Sequence, residues 1–579
     1  MSLSQQPSMK LSLCAMACAA ALVGCSSSPK STPVKNNPFS SDGTGGSTQV
    51  QINTLRTIGD SYTAEQNTVN FGGKNWTREL AGLVPTTRLE NYSYGGATAQ
   101  NGHDYSLSRQ IDRANRSTGA YSNKDLTIIY LGYNDIGRFG KTEASYAASR
   151  NDYRNGVDRL VASGAATENN RVFVTQIHDW SRNPGIDPNT SNAVKNWNSF
   201  IAEMANSYPN VVAVDLFTVF SKVMENPGAF GFSNATTPNP DRAAIDHLFF
   251  NDQHFGNRGQ ELIARTYRHY LTRGWNWAHA LNAGGAASNQ LASDIQSGAL
   301  NFNSGKSINQ SIRLMPIMGK DVNTAPAGLA FDMKTAPLFG QSFGRLGLAY
   351  GSTAKNTLPN LDTGNYLNTS VHSSATAIYW MQPSGGFFYT AQLTSNRHKF
   401  EQFGHDDILR NSVQNERSAN TLGFESAVRY SFGLGQTTFT PWVSLSQEQH
   451  VLNASTDRSL YTTEVSYRQS KVTDTYSGIG LDFEVSKMPL RGGHSLVMGG
   501  GINHQRALQR DALRLQSSEA INGIVSTEVF DRSFEPRTQL SLNADLLIKQ
   551  QYQLGLTYRV EPEQRRTSQA LELKAKIPF

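Results

Sequence analysis

Two spacings of apolar residues divide the chain. From residue 51 to 281, short apolar runs alternate with stretches of helical length. The runs at 54–58, 89–92, 126–131, 172–176 and 211–215 are the predicted strands. They are apolar almost throughout, as strands covered on both faces are, and helices are predicted over 146–162, 193–207 and 258–269 between or after them. This alternation predicts an α/β domain built on a parallel sheet. From 282 to about 330 the composition turns to Gly, Ala, Asn and Ser, with one short helix expected near 288–295. This stretch is expected to link the two regions and to thread or plug a pore.

From 331 to 579 the period becomes two. Leu346, Leu348 and Tyr350 alternate with small or polar residues, as do Leu422, Phe424, Ser426, Val428 and Tyr430. The opposite face carries residues such as Glu425, Asp482, Glu484 and Asp545. Strands near ten residues with one apolar face predict a transmembrane antiparallel β-barrel, since lipid leaves no unpaired strand edge tolerable. At roughly 20 residues per strand and turn, the segment holds about twelve strands. Aromatic residues at strand ends, such as Tyr389 and Tyr558, suit interface girdles, and the chain finishes on Phe579. A soluble antiparallel sandwich is the alternative, and it lacks a second apolar face.

The 579 residues suffice for two or three domains. Lys and Arg number 52 against 46 Asp and Glu, a net charge of +6, with no basic run dense enough for a nucleic-acid groove. The cysteines, Cys14, Cys18 and Cys25, fall at the start, which excludes a disulfide scaffold or thiolate metal cluster in the body. Residues 1–24 comprise a short basic n-region ending at Lys10, then an apolar run from 11 to 23. That run is short for a membrane span and reads as an export signal. Leu22-Val23-Gly24-Cys25 resembles a bacterial lipobox, which makes Cys25 the acylated first residue of the mature chain; a plain secretory signal is the alternative. Ser26 supplies no acidic retention signal, so that resemblance implies the outer membrane. Residues 25–50, rich in Ser, Pro, Gly, Asn and Thr, form a predicted flexible tether.

Candidate chemistry lies just past the predicted element ends. Gly59-Asp60-Ser61 follows the first strand, Asn91 to Thr98 with Gly95-Gly96 follows the second, and Gly132-Tyr133-Asn134-Asp135 follows the third. Asp252-Gln253-His254 precedes the last helix. The carboxyl rim of an open parallel sheet is the usual place for a site. Over residues 51–281 this set of motifs resembles the GDSL or SGNH esterases and lipases. The whole chain is similar to autotransporter esterases, with an N-terminal hydrolase passenger and a C-terminal translocator barrel.

The resemblance implies a flavodoxin-like three-layer passenger with Ser61 as nucleophile and His254 as general base. It implies oxyanion donors at the Ser61 backbone N–H, the Gly96 backbone N–H and the Asn134 side-chain amide. It implies no cofactor and no metal. Its implied partners are an acyl ester substrate, lipid or small, the outer membrane, and the barrel-assembly and lipoprotein-export machineries, with the passenger at the cell surface. The expected activity is ester hydrolysis through an acyl-enzyme. A carbohydrate O-acetyl esterase, an impaired passenger acting as an adhesin, and a plugged channel remain as alternatives.

One position departs from the family. An aspartate usually stands three residues before the histidine, where this chain has Asn251; Asp252 stands two before. Neighbouring side chains seldom point the same way. Asp252 is the favoured orienting group, with Asn251 or a main-chain carbonyl as alternatives. Phe255 replaces the proline that commonly follows the histidine. His103, Asp104, His178 and Asp179 read as ordinary polar residues. Gly340-Gln341-Ser342-Phe343-Gly344 matches a nucleophile pattern but lies beside a barrel strand, without the strand and helix that pattern requires.

Overall fold

The computed structural model describes residues 50–578 except 66–72, 119–120, 242–245, 301–309, 316, 320–326, 337–342, 353–355, 358–366, 407, 410, 521–522, 533–535, 550–551 and 563–566. The signal, Cys25, the tether up to residue 49, Ser342 and Phe579 lie outside the described residues.

The N-terminal domain is a parallel sheet of β1 (Ile52–Gly59), β2 (Thr86–Asn91), β3 (Leu126–Tyr130), β4 (Arg171–Gln176) and β5 (Val211–Asp215), in the order β2-β1-β3-β4-β5. Every residue of β3, β4 and β5 is buried, the pattern of strands covered on both faces. The covering helices are α1 (Trp76–Leu83), α2 (Leu107–Thr118), α3 (Tyr133–Phe139), α4 (Ala147–Ala162), α5 (Ser191–Ala205) and α6 (Leu216–Glu225). The Asn75 side chain caps α1 by accepting from Thr77 N at 2.9 Å, and Asp215 caps α6 by accepting from Thr218 N at 2.8 Å. With all five strands parallel, their carboxyl ends share one rim, and the loops there carry the candidate residues.

Beyond the sheet the chain differs from its predicted elements. In place of a helix ending at 269 and a separate one near 288, a single helix, α7, runs Asn257–Leu300. Gly, Ala, Asn and Ser are weak evidence of helix, and burial overrides their propensity here. Between residues 262 and 285 nearly every side chain of α7 is buried, on all faces of the helix. At Gly284 and Gly285 it passes the rings of His398 and His450, and a Cβ on Gly284 would stand 2.9 Å from the His398 ring. The strands Gln310–Met315 and Ile317–Gly319, and the start of Ala327–Thr335, also fall in the segment expected as linker.

Twelve antiparallel strands, from Gln310–Met315 to Thr567–Pro578, form the C-terminal sheet among the described residues. Pairing of Gly344–Ser352 with Leu367–Ser384 closes it on itself. The burial pattern is the inverse of a soluble protein's. Leu348, Phe424, Leu445 and Leu542 are exposed on the outside, while Asn396, His398, Thr421, Glu448 and His450 are buried within. An apolar exterior around a polar interior is the arrangement of a membrane-spanning barrel. Among the described residues no helix is long and apolar enough to cross a membrane.

A second small sheet, of Ser455–Asp457, Val465–Tyr467, Leu513–Glu519 and Val525–Phe530, packs against the N-terminal domain. Asn210 N, beside β5, donates to Thr527 O at 2.9 Å, and Val529 N donates to Asn210 Oδ1 at 2.8 Å. Arg171 of β4 is buried against Glu528, 3.5 Å away, and lies over the Phe530 ring. From α7, Arg273 pairs with Glu519 at 2.8 Å and Trp277 Nε1 donates to Asp457 at 2.7 Å. One continuous apolar core joins the sheet domain, α7, this small sheet and the mouth of the barrel.

Candidate active site

The strand β1 ends in a close turn. Gly59 is held at both backbone atoms by Gln110, whose Oε1 accepts from Gly59 N at 2.9 Å and whose Nε2 donates to Gly59 O at 3.0 Å. A Cβ there would lie 2.5 Å from Thr63 Oγ1, so only glycine fits. Thr63 N and Ala64 N then donate back to Asp60 O, which places Ser61 at the head of a tight turn, half-exposed on the rim.

His254 arrives from the loop before α7. Phe250 N donates to His254 O at 2.8 Å, and Phe249 bridges Phe255, so the loop folds back on itself. This brings His254 Nε2 to 2.9 Å from Ser61 Oγ, across 193 residues of sequence. The other ring nitrogen, Nδ1, stands 3.0 Å from Asn251 Oδ1. The same oxygen also accepts from Gln253 N at 2.9 Å and His254 N at 2.8 Å. Two backbone N–H donors on one atom settle which end of the amide is oxygen. Nδ1 therefore carries the ring proton, and Nε2 presents its lone pair to Ser61.

The residue at Nδ1 is thus Asn251 rather than the favoured Asp252. Asp252 is exposed, its carbonyl accepts from Gly185 N at 3.0 Å, and its Cβ packs against Gly185. The loop turns at Asn251, which aims that side chain inward. Burial pushes His254 down to about 4. Phe255, where the family's proline would be, fills the core by stacking on Phe220 with centroids 4.2 Å apart.

Asn134, at the start of α3, ties two rim loops together. Its Nδ2 donates to Ala97 O at 3.0 Å and makes a long 3.5 Å contact with Asp60 Oδ2. Asp135 next to it accepts from Ala99 N at 2.9 Å and Gln100 N at 3.1 Å, which seats the loop bearing Gly96. Gly96 has φ +76, a left-handed conformation that favours glycine. The Ser61 and Gly96 backbone N–H groups have no acceptor among the described residues. Burial pushes the Asp60 carboxyl up to about 8 and that of Asp135 up to about 6.

Some contributors are given no site role by the sequence. Asn91 Nδ2 donates to Thr63 O at 2.8 Å and its Oδ1 accepts from Ser93 N, joining the first two rim loops. His178 and Asn183 lie under the site, wholly or almost wholly buried, although His178 reads as ordinary in sequence. His103 is held by Thr98 Oγ1 at 2.7 Å and Asp179 by Ser181 at 2.6 Å, both within local turns.

Residues 57–262 match the model of the GDSL-like Lipase/Acylhydrolase family. No curated protein matches the chain. Among solved structures, it is similar to the translocator domain of the autotransporter NalP from Neisseria meningitidis, at 10% identity over 51% of this chain and 97% of that one, TM-score 0.35. It is also similar to the beta domain of the Bordetella autotransporter BrkA, at 14% identity over 47% and 97%, TM-score 0.32. The transport unit of the autotransporter AIDA-I from Escherichia coli matches at 11% identity over 51% and 98%, TM-score 0.23. The match to the GDSL-like lipase/acylhydrolase model thus falls on the parallel-sheet domain, and a C-terminal antiparallel β-barrel follows it.

Proposed function

We propose that this chain is a serine esterase that hydrolyses carboxylic esters and is displayed at the outer membrane by its own barrel. The observation that carries the reading is the 2.9 Å approach of Ser61 Oγ to His254 Nε2, with the tautomer set by Asn251. A serine hydroxyl is a weak nucleophile until a base takes its proton. His254 Nε2 accepts that proton as Ser61 Oγ attacks the ester carbonyl. The imidazolium then gives it to the departing alcohol, leaving an acyl-enzyme. Water, deprotonated by the same nitrogen, releases the acid and restores Ser61.

Negative charge on the carbonyl oxygen is met by the Ser61 and Gly96 N–H groups, which lack other acceptors among the described residues. Asn134 adds a third donor, since its contact with Asp60 is long and easily given up. The buried Asp60 carboxyl is uncharged at neutral pH and does not oppose the oxyanion. The apolar barrel exterior supports membrane residence, and Cys25 supplies a lipid anchor at the N-terminus in this reading.

The test is Ser61→Ala in the full chain. Hydrolysis of a short acyl ester falls by at least about 10³-fold, while heat-modifiable migration of the barrel is unchanged. Persistent hydrolysis rejects Ser61 as nucleophile. Comparing acetylated sugars with long-chain acyl esters separates a carbohydrate O-acetyl esterase from a lipase.

A further inference from the structure

Beneath the rim runs a buried chain of polar groups that the proposed reaction does not use. Tyr130, Tyr133, His178, Asn183 and Tyr62 are each 3% exposed or less. Their hydrogen bonds have one self-consistent direction. Asn183 Nδ2 donates to Gln253 O at 2.8 Å and to Tyr62 Oη at 3.0 Å, so its Oδ1 faces His178 Nε2, 2.8 Å away. That nitrogen must carry a proton. Burial pushes His178 down to about 3, so the ring is neutral and its Nδ1 accepts the hydroxyl proton of Tyr133. The Tyr133 oxygen in turn accepts from His178 N at 3.3 Å and from Tyr130 Oη at 2.8 Å. Tyr62 closes the chain by donating to Gln253 O.

The chain ends on one peptide group. The Gln253 carbonyl takes two hydrogen bonds, from Asn183 and Tyr62, while the N–H of the same peptide, on His254, donates to Asn251. Both polar atoms of the Gln253–His254 peptide are therefore pinned from opposite sides. The His254 ring also packs against Tyr62, with centroids 5.2 Å apart. A carboxylate on Nδ1 would hold the imidazole by charge; the neutral amide of Asn251 holds it less firmly.

Resting on the esterase reading, we infer that His178 and Asn183 are positioning residues, which hold the His254 imidazole on Ser61 in place of the absent carboxylate. Neither touches substrate; both act through the Gln253 carbonyl. The chain is fully paired, so it has a single arrangement and a high cost of disturbance.

The experiment uses the full chain in detergent. His178→Phe keeps a planar aromatic ring and removes both ring hydrogen bonds. It lowers kcat about 10- to 100-fold, as expected for a small misplacement of a catalytic group, and leaves KM within about twofold. His178→Gln, which keeps a donor near Nε2, recovers most of the loss. The decisive arm repeats His178→Phe in an Asn251→Asp background, where a carboxylate now holds the ring. There the loss shrinks to about threefold or less, a coupling that a merely structural role does not produce.

An equal loss in both backgrounds overturns the inference, as does a rise in KM that accounts for the loss. If His178→Phe does not fold, Asn183→Asp replaces it in both arms, since its carboxylate opposes the Gln253 carbonyl. Ser61→Ala separates the two claims. If that variant still hydrolyses ester, the esterase reading fails. If it is inert while His178→Phe retains full kcat, only the positioning role fails.

Discussion

His254 Nδ1 lies 3.0 Å from the amide oxygen of Asn251, so the imidazole that faces Ser61 is oriented by a neutral group. The amide sets the tautomer as a carboxylate would. It does not stabilise the imidazolium by charge, and burial therefore dominates the ring's proton affinity.

Asn251→Asp places a negative charge at Nδ1 and raises the affinity of His254 for its proton. The base is active only when unprotonated, so the acid limb of kcat/KM lies near pH 4 in the natural chain, following a ring held at about 4. In the variant that limb moves upward by about one unit or more. A pH profile of ester hydrolysis from 3.5 to 9 checks this, and coincident acid limbs would reject the orientation by Asn251.

Asp252 is exposed, with its carbonyl bonded to Gly185, whereas Asn251 accepts from the ring. Asp252→Asn therefore changes kcat by less than about threefold, while Asn251→Leu lowers it about 100-fold or more by freeing the tautomer. Initial-rate measurements on the two variants decide it. The reverse ranking would return the orienting role to Asp252.

Ionisation of Asp60 sets an alkaline limb. Its carboxyl is held near 8 by burial, and above that pH its charge faces the site where the oxyanion forms. Activity accordingly declines above about pH 8. Asp60→Asn keeps an acceptor for Tyr62 N and removes the limb. Retention of the limb in that variant would assign it to another group.

Gly96→Ala forces a side chain into φ +76, a strain of about 1–2 kcal/mol. Its methyl would stand 2.7 Å from the Arg138 guanidinium, the free-moving end of a long side chain that swings aside. The main effect is to move the backbone N–H, so kcat falls about tenfold or more with KM little changed. Unaltered kcat would remove Gly96 from the oxyanion donors.

Glu528→Ala removes the carboxylate 3.5 Å from the buried Arg171 guanidinium, which keeps its bonds to the carbonyls of Thr167, Asn170 and Val529. Loss of about 1–3 kcal/mol is expected for a buried charged contact removed from one side. The melting temperature of the hydrolase domain within the full chain falls, and the double change Arg171→Met with Glu528→Leu restores much of it. An unshifted melting curve for Glu528→Ala would show that the contact contributes little.

The strands β3 to β5 were legible because burial on both faces writes a continuous apolar run, and the barrel because its alternation is long and repeated. The long helix α7 was not. Its Gly, Ala, Asn and Ser stretch has the composition of a linker, yet it continues a buried helix whose Gly284 and Gly285 pass the rings of His398 and His450 inside the barrel. In the site, Ser61, Gly96, Asn134 and His254 were legible because each sits just past an element end and matches a family motif. The choice between Asn251 and Asp252 was not, since it depends on how one loop turns at Phe250 and Asn251. His178 and Asn183 carry no motif; Asn183 meets Gln253 only through the fold, from 70 positions away, and His178 acts on it through Asn183.

The helix α7 begins three residues after His254 and continues without a break for 44 residues, about 66 Å at the usual rise. Base and barrel are thus mounted on one rod. Rotation or slippage of that rod in the lumen would be felt directly at the imidazole. The hydrolase inherits its bearing relative to the bilayer from the barrel instead of swivelling on a loose hinge. On the esterase reading, a substrate reaches a rim held at a set height and tilt, so geometry of approach joins pocket chemistry in selecting what is cleaved.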